Sequence, residues 1–304
     1  MSSTVGFENV GGEIDAVTGK RCDQRGVARM SPAVLTAALT GPIATKADNP
    51  ALPTTPEEIA RAAAGAHAAG AAVVHVHLRD ADGRPTADVE VARRTVALIE
   101  EACGALIQLS TGVGLEVPFE AREKIVDARP QMATLNVCSM SFGPGEFRNP
   151  PDGVRRLAAR MADLGVKPEI EIYDSGHLDV ALALLAEGLL TEPLQFSIVL
   201  GVRGGAAAEP ENLLAMVRRL PPGSLWQVIG IGRANLPLTA IGLALGGNAR
   251  TGMEDTLMVS RGVPAASNAQ LVSRLAAVAT AIEREPATVT EAQQVLGLAG
   301  GSAT

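Results

Sequence analysis

The stretch Val73-Val74-His75-Val76-His77-Leu78-Arg79-Asp80 places two of the chain's four histidines one residue apart inside an apolar run. A short run of Val and Leu bounded by polar residues predicts a buried strand. In a strand, residues i and i+2 project to the same side. His75 and His77 therefore share one face near the C-terminal end of this strand. Two adjacent imidazoles in apolar surroundings must both find polar partners. A hydrogen-bonded structural pair is one reading. A shared metal ion is the other, and it satisfies both rings at once.

Outward from this strand the same unit recurs. Apolar runs at 33–39, 72–78, 105–109, 132–137, 169–173, 195–200, 225–229 and 248–253 predict eight strands. Ala-rich periodic stretches near 56–69, 88–102, 118–127, 152–164, 177–187, 209–219, 235–245 and 267–283 predict the helices between them. The first opens Thr-Thr-Pro-Glu-Glu, with a capping residue, an early proline and acid in the first turn. Strict βα alternation implies a parallel sheet. Eight units predict an α/β fold, a closed (β/α)8 TIM barrel, which needs about 250 residues as one domain. A doubly wound sheet is the competing arrangement. Residues 31–304 are expected to form the catalytic barrel, with a surface helix and a frayed end over 284–304. Residues 1–30 are polar and aperiodic and predict a flexible N-terminal extension. Met30, followed by Ser-Pro-Ala-Val-Leu, would also be a natural start for the barrel.

The chain of 304 residues is 47% hydrophobic and carries a net charge of −7. An acidic surface repels phosphate backbones, so no nucleic-acid partner is expected. No apolar stretch approaches the ~20 residues of a membrane span, and no secretion signal is legible. Cys22, Cys103 and Cys138 are far apart and form no disulfide framework or zinc motif, which favours a reducing cytoplasm.

A metal held by His75 and His77 needs another ligand. Along the eighth strand, Arg250, Gly252 and Glu254 are expected to share one face, with Glu254 at the C-terminal end. Two His and one carboxylate form a recurrent catalytic set that leaves positions open for substrate oxygens. Zinc is the default; cobalt, nickel, manganese or iron(II) suit the same set. Asp255 is a candidate base, or alternatively the cap of a following turn. Arg250 needs an anion or Glu254 beside it. Ser110 and Thr111 close the third strand, Asn136 and Ser139 lie at the end of the fourth, and such groups can hold a carboxylate. Glu169 and Glu171 both point into the barrel from the fifth. Gly232 and Arg233 form a glycine turn after the seventh, where barrels often bind phosphate. His67 reads as a solvated helix residue, and His177 is left outside the site.

These residues, with the segments LTAALTGPIATKADNP, AAVVHVHLRDADGRP, IQLSTG, MATLNV, KPEIEIYDSG, VLGVRGG, VIGIGR and GGNARTGMEDT, resemble the β-keto acid cleavage enzymes over about residues 34–298. The resemblance implies a TIM barrel, a divalent metal, usually zinc, and a homodimer or homotetramer. It implies that a small-molecule β-keto acid and acetyl-CoA react to give acetoacetate and a new acyl-CoA. It places the metal ligands at His75, His77 and Glu254, the catalytic pair at Arg250 and Asp255, and substrate-binding hydroxyls at Ser110 and Ser139. Glu171 aligns with an acid that supports the base. One departure stands out. The type member, 3-keto-5-aminohexanoate cleavage enzyme, carries Glu two residues after the Thr-Gly of strand one, and this chain has Ile43. An apolar side chain there predicts a substrate without an amino group. A metallo-hydrolase is disfavoured because no histidine follows His177. A CoA-independent metallo-lyase or aldolase, and a barrel that binds without turnover, remain alternatives.

Overall fold

The computed structural model describes residues 31–298. Eight parallel strands form a closed barrel: β1 (Leu35–Ala38), β2 (Val73–Val76), β3 (Leu106–Leu109), β4 (Met132–Asn136), β5 (Lys167–Ile172), β6 (Gln195–Leu200), β7 (Leu225–Gly230) and β8 (Asn248–Thr251). Each pairs with its neighbours in sequence, and β8 returns to β1 with Thr36 opposite Arg250. The TIM barrel expected from the alternation is the fold observed. The extension expected at residues 1–30, with the question of Met30, lies outside the described residues.

Helices α1 (Pro56–Ala68), α2 (Val89–Ala102), α3 (Phe119–Arg122), α4 (Pro151–Leu164), α5 (Ser175–Ala186), α6 (Pro210–Val217), α7 (Asn235–Ala244) and α8 (Asn268–Ala281) follow the strands in turn. Helix α1 shows why this sequence builds them. Thr55 caps its first turn by accepting from the Glu58 amide, and Pro56 occupies the position where a missing N–H costs nothing. Ile59, Ala60, Ala63 and Ala66 recur at helical spacing and bury against Val74 and Val76 of β2. The small alanines allow a close approach of helix to sheet. Burial of such apolar surface stabilises by about 25 cal/mol per Å².

Three local features differ from expectation. The stretch predicted as a helix over 118–127 is one α-turn followed by a 3-10 segment, Glu123–Ala128, ended by Arg129 with φ 53°. Ile125, Val126 and Asp127 have weak helix preference, and the backbone tightens there. The chain beyond Arg284 is more than a surface helix. Its helix α9 (Val289–Leu296) buries Ala292 and Leu296 against Val34, Val73, Leu106 and Met132, residues at the N-terminal ends of the strands. Two small hairpins, Met140–Phe147 and Met258–Pro264, follow β4 and β8. Strands of two or three residues are too short to leave a periodic signal.

Beyond the apolar layer of Val34, Val73, Leu106 and Met132 lies a band of buried polar residues that includes Glu169, Ser197 and Gln227. Glu169 is fully buried without an ion partner among the described residues. Ser197 and Gln227 donate to one of its oxygens at 2.6 and 3.0 Å, and Gln195 donates to the other at 2.7 Å. This is the reason for a glutamate pointing inward at that level.

Candidate active site

His75 ends β2 one residue before its last member, and His77 follows it immediately. Both rings are buried, with centroids 5.3 Å apart. Gln108 stands opposite His75 in the β2–β3 register, and its Oε1 lies 2.6 Å from His75 Nδ1. An amide oxygen only accepts, so the His75 Nδ1 carries the proton. In the neutral ring Nε2 then bears a lone pair, and it is aimed at Glu254 Oε2, 3.3 Å away. His77 Nε2 lies 3.4 Å from Glu254 Oε1. Neither His75 Nε2 nor Glu254 Oε2 has a hydrogen-bond partner.

Glu254 arrives here by a route that differs from the expected one. Strand β8 stops at Thr251, so Arg250, Gly252 and Glu254 do not lie along one strand face. Gly252 has φ 149°, and a Cβ at this position would overlap the Ala38 carbonyl oxygen. The chain crosses the end of β1, where the Glu254 amide donates to that same oxygen at 3.2 Å. The turn brings two successive acids, Glu254 and Asp255, back onto Arg250, which a continued strand would forbid. Gly41 makes room: a Cβ there would lie 2.7 Å from Glu254 Cγ.

Arg250 is the hub. Its Nε and Nη2 donate to the two oxygens of Asp255 at 3.0 and 2.8 Å. Nη2 also reaches Glu254 at 2.6 Å, and Nη1 lies 3.6 Å from Glu171 Oε1. All four side chains are largely or fully buried. Burial works against the Glu254 carboxylate, but Arg250 and the two imidazoles hold it well below the usual carboxylate range. Burial pushes Asp255 up against the pull of Arg250, and it pushes Glu171 up likewise. Burial and the Arg250 charge depress His75, and Glu254 and Glu171 outweigh them and raise it. For His77 burial prevails and its pKa is lowered.

These observations test whether a divalent cation fits. His75 Nε2, His77 Nε2 and a Glu254 oxygen all lie within 4.8 Å of one another. His75 Nε2 and Glu254 Oε2 face each other at 3.3 Å, two buried polar atoms with no hydrogen-bond partner among the described residues. Three carboxylates against one guanidinium leave two formal negative charges in a buried space, a costly arrangement without compensation. A divalent ion answers both, so the residues fit the group.

The remaining candidates divide. Ser110 is buried at the end of β3 and accepts from the Gly112 amide at 3.2 Å. Thr111 donates its hydroxyl to the Thr134 carbonyl at 2.9 Å, which ties β3 to β4. Ser139 is exposed, and its hydroxyl accepts from the Asn149 amide at 2.8 Å. Gly232 begins a 3-10 turn after β7 and donates its amide to the Asp255 carbonyl at 2.7 Å, while Arg233 is exposed. His67 is half-buried and contacts the Ala71 carbonyl at 2.9 Å, and His177 packs beside Tyr173. Ile43 is 71% exposed in the loop leaving β1. Arg79, which carries no motif that marks it in the sequence, fixes that loop by donating to the carbonyls of Gly41, Ala44 and Gly83. Its signal was a basic residue closing an apolar strand. A cavity of about 540 Å³ between 114–122 and 145–150 contains none of the candidate residues. Its Arg122 lies between the rings of Phe119 and Phe147.

Comparison with known proteins places the chain among relatives of known family. The family model for beta-keto acid cleavage enzyme matches residues 32–298. A 3-keto-5-aminohexanoate cleavage enzyme of Fusobacterium nucleatum subsp. nucleatum is 39% identical over 271 residues, spanning 88% of this chain and 99% of the relative. A 3-oxoadipate:acetyl-CoA acetyltransferase of Cupriavidus necator is 36% identical, spanning 88% and 95%. Among solved structures, the ternary complex of ObcA with C4-CoA adduct and oxalate superposes with a TM-score of 0.70 at 22% identity, over 82% of this chain and 68% of that one. That likeness concerns the fold.

Proposed function

The chain belongs to the beta-keto acid cleavage enzyme family, and from that premise we propose that it condenses a β-keto acid with acetyl-CoA and releases acetoacetate and a new acyl-CoA. The observation that carries the reading is the buried constellation of His75, His77 and Glu254 beside Arg250 and Asp255. His75, His77 and Glu254 would hold the divalent cation, which we take to be zinc. When bound, such an ion supplies Lewis-acid stabilisation of an enolate.

The chain's own residues supply the rest. Asp255 removes the proton at C2 of the keto acid. An ordinary Asp, with a pKa near 3.9, is a weak base for this, and the upward push of burial moves it toward its task. The enolate carbon attacks the acetyl thioester and expels CoA thiolate, which then attacks the original ketone; the C–C bond breaks to give the new acyl-CoA and the acetoacetate enolate, and Asp255 returns the proton to that carbon. Arg250 offers Nη1, a buried donor without a hydrogen-bond partner, to the oxyanions that develop. Glu171 faces that same nitrogen. Ser110, with Thr111 and Ser139 shaping the loops beside it, orients the substrate carboxylate. Gly232 and Arg233 receive part of CoA.

The relatives are named for different substrates, and Ile43 stands where the type member has an acid. We therefore assign a keto acid without an amino group, with a neutral or apolar tail. We further assign a cytoplasmic homodimer or homotetramer; no helix among the described residues is long and apolar enough to cross a membrane. A panel of β-keto acids with and without acetyl-CoA, followed for acetoacetate by mass spectrometry, tests the reading. Acetoacetate formed only with acetyl-CoA supports it. Cleavage at equal rate without acetyl-CoA would make the chain a lyase.

A further inference from the structure

Tyr173 is the only tyrosine in the chain. It follows β5 directly and is 7% exposed. Its hydroxyl donates to Glu171 Oε2 at 3.1 Å. The other oxygen of that carboxylate, Oε1, lies 3.6 Å from Arg250 Nη1, beyond hydrogen-bond reach. Nη1 itself has no hydrogen-bond partner among the described residues. A buried carboxylate next to a buried guanidinium would ordinarily close to a short, charge-assisted contact. Here it stands off, and its other oxygen accepts from the phenol.

We propose that Tyr173 is a positioning residue that acts through Glu171, holding the carboxylate back from Arg250 so that Nη1 stays available to the substrate. The inference rests on the reading of the site given above. The phenol is well placed to bear this pull. The Ala206 amide donates to the Tyr173 carbonyl at 2.7 Å, and the Tyr173 amide lies 3.4 Å from His177 Nδ1. The rings of Phe142 and His177 pack at 6.2 and 5.9 Å. The loop after β6 and the hairpin after β4 are locked together above it: the Gly143 amide donates to Arg203 at 3.0 Å, and a Cβ on Gly204 would overlap the Ser141 carbonyl. With the ring fixed, the hydroxyl fixes Glu171. A bland role, mere satisfaction of a buried hydroxyl, predicts no link between Tyr173 and Arg250.

A double-mutant cycle separates the two roles. Tyr173→Phe keeps the ring and removes the O–H. It is expected to lower kcat about tenfold, the equivalent of one charge-assisted hydrogen bond, with KM for the keto acid within about threefold of wild type. In a Glu171→Gln background the same substitution is expected to cost nothing further. Losses that multiply in the double variant would overturn the inference while leaving the reaction intact. Wild-type enzyme without acetyl-CoA-dependent acetoacetate formation would overturn the reaction and this inference together. A second readout needs no variant at Tyr173. Biosynthetic 3-fluorotyrosine labels this position alone, and its ¹⁹F signal is expected to move on adding acetoacetate to the wild-type background but not to Glu171→Gln. A signal indifferent to acetoacetate in active enzyme also overturns the inference.

Discussion

His75 Nδ1 and Gln108 Oε1 meet at 2.6 Å across the β2–β3 pair. This contact sets the tautomer of the imidazole and turns its other nitrogen toward Glu254. Removing the amide frees the ring to take the wrong tautomer or to rotate. Gln108→Leu is expected to weaken divalent-metal binding by roughly 10- to 100-fold. Competition with a chromophoric chelator measures it without reference to activity. Unchanged affinity would show that the strand alone orients the ring.

Asp255 is held by Arg250 through both carboxylate oxygens and is not part of the His75, His77 and Glu254 cluster. Asp255→Asn should lower kcat by roughly 10²- to 10⁴-fold while metal content, measured by elemental analysis, stays at the wild-type level. Loss of the metal with the activity would make Asp255 a structural prop for Glu254.

Gly252 is where the path of Glu254 is decided. Gly252→Ala places a Cβ against the Ala38 carbonyl at φ 149°. The strain should lower stability by on the order of 1–3 kcal/mol. Because the turn no longer returns Glu254 to the histidines, metal affinity should fall with it. Calorimetry and chelator competition on the same variant read both effects.

The acid limb of stability has a local contributor in Glu58. Its carboxylate accepts from Lys46 at 2.5 Å and from the Thr54 amide at 2.8 Å. The Lys46 contact leads in holding its pKa below the ordinary value, against the opposing push of burial. A depressed folded-state pKa gives stability that is present above the unfolded value, near 4.3, and is lost as pH falls through the folded one. Glu58→Gln should therefore be less stable than wild type at neutral pH, with the gap closing below about pH 4. Denaturant midpoints across pH 3–7 check the trend; a gap constant with pH contradicts it.

Ile43 is exposed, in the loop that Arg79 fixes beside Gly41 and Glu254. No carboxylate at this position awaits a cationic amine. In the keto-acid panel, 3-keto-5-aminohexanoate should rank below the best neutral substrate in kcat/KM. Equal or higher rank would shift specificity to other loops.

The eight strands, their order and the pairing of His75 with His77 on one face were legible in the sequence. These are local facts: the period of apolar residues fixes what is strand and what is helix, and the two-residue repeat fixes which side chains share a side. The candidate residues Arg250, Glu254 and Asp255 were legible as types. How they meet was not. A straight strand through Gly252 would put Glu254 and Asp255 on opposite faces; the Cβ-free turn over Ala38 puts both on Arg250. Gln108 and Tyr173 gained their roles only when β3 lay beside β2 and the end of β5 faced β8. Sequence periodicity encodes the direction in which a side chain leaves its own backbone. The partner it finds there depends on strand pairing and barrel closure, which set residues as distant in sequence as Thr36 and Arg250 side by side and leave no local trace in either segment.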